Sequence, residues 1–357
     1  MTSRKESRQK RRRAAIPLGR WFGIEVGADY SWIIIVLLVT LSLSNRFSEL
    51  RPGWDDGQSW IFGVITSALF FVSIILHELG HSLVAVRLGI PVRSITLFIF
   101  GGVALLEKEP SRPRDEALIA LAGPAVSLSL GMFFGGLVFV LGAQTPVGTT
   151  AAWLAGINGV LALFNMIPGF PLDGGRVLRA VLWAYKSDFG WATTVASQVG
   201  GLAAYGFMGW GVFTALFQGQ LFNGLWLGFI GWFLLSAAKS SAVQVLAKEV
   251  LVKISVSEVA DRSCELISPN SSLEEVMANG VLRRGQRCFM VDREGALVGL
   301  LSIKELGAVP REEWSATSVQ AVMIEREALR TVTPEVTLLD ALLVMAEERV
   351  NQLAFRT

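Results

Sequence analysis

SWIFGVITSALFFVSIIL-HELGH, residues 59–81, decides how this chain is read: an uncharged apolar run from Ser59 to Leu76 ends in His77-Glu78-Leu79-Gly80-His81. Trp60 to Val86 is long enough to cross a bilayer as a helix. On a helix, positions i and i+4 share a face, so both imidazoles can grip one ion while Glu78 stands beside it. These are also the only 2 histidines of the 357 residues. Ionisable groups inside an apolar span are costly and mark a functional site by default. The stretch therefore predicts a hydrolytic, zinc-type centre in a membrane helix.

Working outward, 52% of the residues are hydrophobic and 17% charged, and mean hydropathy is +0.50. That excludes an ordinary soluble domain and places most of the chain in lipid. Six spans are predicted, at about 30–45, 59–86, 116–142, 150–167, 190–217 and 221–239. The basic head, Arg4 to Arg13, precedes the first. Arg87, Arg93, Lys108, Arg112 and Arg114 follow the second; Arg176, Arg179 and Lys186 the fourth; Lys239 and Lys248 the sixth. These are alternate loops, so both termini are expected in the cytoplasm, with the histidines near that face. The head is read as an orientation signal or a contact to anionic lipid rather than to nucleic acid. No cleavable signal peptide is evident, since Pro17 and a polar, glycine-rich lead-in follow the head. The segment 93–105, β-branched and aromatic with paired Gly101-Gly102, is predicted to be a short re-entrant hairpin, with a surface loop as the alternative.

After Lys239 the composition turns charged and soluble. Ile267 to Met277 and Val332 to Leu342 form a weak repeat, each a strand, a Ser/Thr cap and a helix. Strands at Arg287–Val291 and Leu297–Leu301 and a helix from Ser302 follow the first copy; the second stops at Thr357 in its first post-helical strand. This resembles a pair of CBS modules, the second copy incomplete. Four parts are thus expected: a tail 1–18, a membrane domain 19–240, a first module 241–312 and a second 313–357. Cys264 and Cys288 form no CxxC pair and are read as half-buried thiols in a reducing compartment.

A hydrolytic zinc site needs three protein ligands and an open position. No third histidine exists and no cysteine lies in the membrane part, so the third ligand falls to a carboxylate. Asp173 stands out, in Asn165-Met166-Ile167-Pro168-Gly169-Phe170-Pro171-Leu172-Asp173-Gly174-Gly175, where prolines and glycines break any helix. The alternative reading is a turn in which Asp173 caps the next helix.

HELGH and NMIPGFPLDGG resemble the two signature motifs of the site-2 protease family of intramembrane zinc metalloproteases, as do Ala122-Gly123-Pro124 and Gly101-Gly102. The CBS pair points to the bacterial and archaeal branch. The resemblance implies one Zn2+ held by His77, His81 and Asp173, Glu78 as catalytic acid–base, and Asn165 with Gly101 and Gly102 near the substrate. The substrate is then a single-span membrane protein, unwound and paired against the 93–105 strands. Ser127 departs from the asparagine common in relatives, which is expected to affect packing or substrate contacts but not the metal. The CBS part is expected to bind an adenine nucleotide through Ser302 and Glu305 or to mediate a homodimer, although Glu305 replaces the usual aspartate. Rival readings are a CBS-gated transporter or channel, which calls for paired broken helices, and a zinc-binding scaffold without turnover.

Overall fold

The computed structural model describes residues 16–99, 101–260, 264–281, 286–348, 350 and 352–355, in two compact units, 1–245 and 246–357. The basic head lies outside the described residues. The first unit opens with two strands, β1 (Ile16–Trp21) and β2 (Ile24–Ala28), joined by a tight turn in which Phe22 (φ 50°) and Gly23 (φ 87°) are both left-handed, as a two-residue hairpin requires. The expected tail and lead-in are therefore part of the fold from Ile16 on. Pro17 and Gly19 hid them: the register shifts between these two residues, so the strand carries no clean alternation.

Seven helices follow: α1 (Ser31–Leu50), α2 (Asp56–Arg87), α3 (Pro113–Leu141), α4 (Pro146–Asn165), α5 (Asp173–Lys186), α6 (Phe189–Phe217) and α7 (Leu221–Lys253). All but α5 are long and apolar enough to span a bilayer, matching the six spans expected; the chain is a multi-pass membrane protein. Local chemistry sets their starts. Asp55 accepts the Gln58 N–H at 2.7 Å, Thr145 that of Gly148 and Asp188 that of Trp191, and Pro113 and Pro146 sit where a helix spares an N–H. Large apolar side chains such as Phe139 and Phe222 point outward. Small and polar ones, among them Ser73, Thr66 and Asn158, fill the contacts between helices, the pattern of membrane packing.

The predicted hairpin is present as β3 (Val92–Phe98) and β4 (Gly101–Leu106). It extends the first hairpin into one sheet of order β1-β2-β3-β4, with β2 and β3 parallel and β4 at an edge. Ile24, Val26, Ala28, Ile95 and Leu97 on its inner face bury against Ile75 and Leu79 of α2. Leu79 is the central residue of HELGH, so the motif's apolar side is what docks the sheet.

In the second unit, β5 (Glu265–Ile267) leads through α8 (Leu273–Val276) to β6 (Cys288–Arg293), which pairs with β5 in parallel and with β7 (Ala296–Ser302) as a hairpin. Ser272 and Glu275 form the expected capping box. The second copy repeats this plan: β8 (Thr331–Val332), α9 (Leu338–Glu348), then β9 (Ala354–Phe355) parallel to β8. The thiol reading is corrected here: Cys264 and Cys288 are joined in a disulfide, Cα atoms 5.5 Å apart. The parallel register pairs Glu265 with Phe289 and so sets the preceding residues side by side, a proximity that 24 positions of separation conceal.

Candidate metal centre

Two turns of α2 carry His77 and His81 inward, both buried, with imidazole centroids 4.9 Å apart and planes nearly perpendicular. Asp173 reaches them from the first turn of α5. It does not cap that helix: Leu172 is the N-cap residue and no side-chain cap bond forms. Instead its Oδ2 lies 3.3 Å from His77 Nε2 and 3.2 Å from His81 Nε2, and the two Nε2 atoms are 3.3 Å apart. The broken segment before it is pinned to α6 through the Phe170 N–H, which donates to the Ala196 carbonyl at 3.2 Å.

These spacings test the donors against zinc. A tetrahedral ion about 2.0 Å from each N or O donor spaces them about 3.3 Å apart, which is what all three edges show. The other ring nitrogens agree. His77 Nδ1 meets Ser127 Oγ at 2.9 Å and His81 Nδ1 meets the Ile119 carbonyl at 2.6 Å. A carbonyl only accepts, so His81 carries its proton on Nδ1 and offers an Nε2 lone pair inward; Ser127 permits the same tautomer for His77. Among the described residues, His77, His81 and Asp173 form the group suited to a metal. Both acceptors come from α3, and both were missed from sequence: a backbone carbonyl leaves no sequence signal. The reading of Ser127 is corrected, because it touches a candidate ligand directly.

α3 comes this close because of Gly123. A Cβ there would fall on His81 Nε2 and 2.7 Å from His77 Nε2, on the donor atoms themselves. Gly102 plays the matching part on the sheet: a Cβ on it would meet the Glu78 carboxyl carbon at 3.0 Å, so β4 passes directly over Glu78.

The donors open into a cavity of about 790 Å³ whose lining includes Glu78, Gly101, Gly102, Asn165 and Arg176 and is otherwise apolar. Asn165, at the end of α4, spends its Nδ2 on the Leu161 carbonyl at 3.0 Å. Ser302 and Glu305 of the second unit are brought together, but on each other: the Ser302 hydroxyl donates to the Glu305 carboxylate and accepts the Lys304 N–H at 3.2 Å, a helix cap.

A bundle of membrane helices that shapes a buried His-His-Asp triangle with a glutamate alongside has the donor set of a membrane-embedded metal centre. Residues 65–148 and 142–205 match the model of Peptidase family M50. The chain is 35% identical over 347 residues to sll0528 of Synechocystis sp., covering 95% of this chain and 89% of the relative. It is 34% identical over 327 residues to Rip3 of Mycobacterium tuberculosis, covering 90% and 83%; both names include zinc metalloprotease. The solved site-2 protease from Methanocaldococcus jannaschii is similar at 29% identity, covering 64% of this chain and 94% of that one, with a TM-score of 0.45. The chain belongs to peptidase family M50, the site-2 type of zinc metalloprotease. That membership sets aside the transporter and scaffold readings.

Proposed function

We propose that this enzyme is an endopeptidase that cuts a peptide bond within the transmembrane segment of a membrane-tethered, regulatory protein, with His77, His81 and Asp173 holding zinc and Glu78 as acid–base. The observation that carries this is the placement of Glu78, next to the three donors in one cavity and directly under β4 at Gly102. A zinc ion held there would supply Lewis acidity for a carbonyl and would bring the pKa of a water to about 7. Glu78 takes the proton of the attacking water and returns it to the departing amide nitrogen. The substrate helix unwinds first, because backbone pairing shields a helical peptide bond. β4 then receives the extended segment, since an edge strand offers unpaired N–H and C=O groups along its length.

The apolar walls of the cavity suit a hydrophobic segment, and Asn165 and Arg176, which also line it, are the candidate donors to a developing oxyanion. The cation distribution supports cytoplasmic termini, and an even number of candidate spans agrees with both ends lying on one side. The repeated strand–helix–parallel strand plan of the second unit supports a regulatory CBS pair acting through an adenine nucleotide or a homodimer contact. The Ser302–Glu305 cap would have to open for those two residues to serve a nucleotide.

Glu78→Gln tests the assignment. The variant should keep its zinc and leave a co-expressed single-span substrate uncut. Cleavage at the wild-type rate would sink the role of Glu78.

A further inference from the structure

Beyond the donor triangle, α3 and α5 meet a second time. Glu116 of α3 is fully buried, and its Oε1 accepts from Arg179 Nε at 2.8 Å and from Arg179 Nη2 as well. Arg176 Nε stands 3.9 Å from the same oxygen. The Arg179 guanidinium carbon also lies over two aromatic rings, 4.8 Å from the Phe170 centroid and 4.6 Å from that of Phe189. Phe170 belongs to the broken segment leading to Asp173, and Phe189 opens α6.

The placement along each helix matters. On α3, Glu116, Ile119, Gly123 and Ser127 recur every three or four residues, so they share one stripe. That stripe carries both acceptors that orient the histidines and the glycine that lets them approach. On α5, Asp173, Arg176 and Arg179 recur every three residues, so one face carries the third donor and the cations in turn. α3 thus orients two donors, α5 supplies the third, and the ion pair is a polar bond between them one turn from Ile119.

We infer that Glu116 and Arg179 are a positioning pair for the metal centre: they fix where α5 sits along α3, and so where Asp173 stands against His77 and His81. Apolar packing would hold the helices together as well, and often better than a buried ion pair. It would not define register. Two donors of one rigid fork closing on a single carboxylate oxygen, with the guanidinium also seated over two aromatic rings, admit little sliding. Metal donors must lie within about 0.2 Å of ideal, so a small slip of α5 is felt at the ion before it is felt by the fold.

The inference rests on the reading that the three donors hold zinc, and the experiment separates the two. Zinc affinity of the full-length protein in detergent is measured by competition with a chromophoric chelator, alongside the thermal melt of the zinc-free protein and the visible spectrum with Co2+. Removing one partner strands a buried charge, so the decisive variants are Glu116→Gln/Arg179→Gln, which removes both charges, and Arg179→Lys, which keeps the charge but not the fork. Both should melt near wild type when zinc-free, bind zinc about 10- to 100-fold more weakly and shift the Co2+ bands, as loss of an outer support does. Zinc affinity within roughly twofold of wild type, far below that expected loss, would overturn the pair's role. So would loss of the fold in both variants, since the pair would then hold helices rather than donors. A wild-type protein that takes up no zinc would remove the metal reading, and this inference with it.

Discussion

Ser127→Ala isolates the support beneath one histidine without touching any donor. Ser127 is fully buried and His77 nearly so, and among the described residues Ser127 Oγ, 2.9 Å away, is the hydrogen-bond partner of His77 Nδ1. With Nε2 facing a metal, Nδ1 carries the proton and Ser127 accepts it. Alanine leaves a buried N–H without a partner, which costs about 1–3 kcal/mol. At tenfold per 1.4 kcal/mol that is about 5- to 140-fold in zinc affinity, overlapping the 10–100-fold typical of outer-shell losses. The assay is chelator competition on detergent-purified protein, with the zinc-free melt as a check on folding. A well-folded Ser127→Ala protein with unchanged zinc affinity would refute the reasoning, and with it the tautomer assigned to His77.

Two further outcomes follow from close approaches. Gly123→Ala places a methyl on the donor nitrogens and should abolish zinc uptake while every polar group of the site remains; zinc at one equivalent would show that α3 can retreat. On an antiparallel edge strand alternate residues point their N–H outward, so of Val103→Pro and Ala104→Pro in β4 one removes only the outward donor. That variant should keep zinc yet lose most cleavage of a membrane substrate, whereas equal cleavage by both would detach substrate binding from β4.

The spans were legible because lipid leaves the backbone no choice: polar groups must pair within the segment, so a span is a long uncharged helix and reads as one. The candidate donors stood out for a related reason, since His77, His81 and Asp173 have few titratable neighbours in the membrane part, and the structure brings the three together. What supports them was not legible. Ile119 contributes a carbonyl, which any residue carries, and Gly123 contributes the absence of a side chain. Ser127 was noticed only as a departure, and its contact depends on how α3 crosses α2. The β1–β2 hairpin escaped because the register shift between Pro17 and Gly19 breaks its alternation, and its place in the sheet escaped because β3, the parallel partner of β2, lies about 70 residues downstream. The Cys264–Cys288 bond was hidden in the same way, behind a parallel register. Arg179 read only as one of the loop cations that orient the chain, and Glu116 carried no reading at all, until the fold closed them on each other.

The most direct test of the account is the zinc X-ray absorption spectrum of the purified Glu78→Gln protein, which holds the donor set apart from turnover. The account predicts one zinc with N and O ligands at about 2.0–2.1 Å and the outer-shell signature of two imidazoles. A sulfur ligand at about 2.3 Å, or no histidine signature, would contradict a centre built from His77, His81 and Asp173.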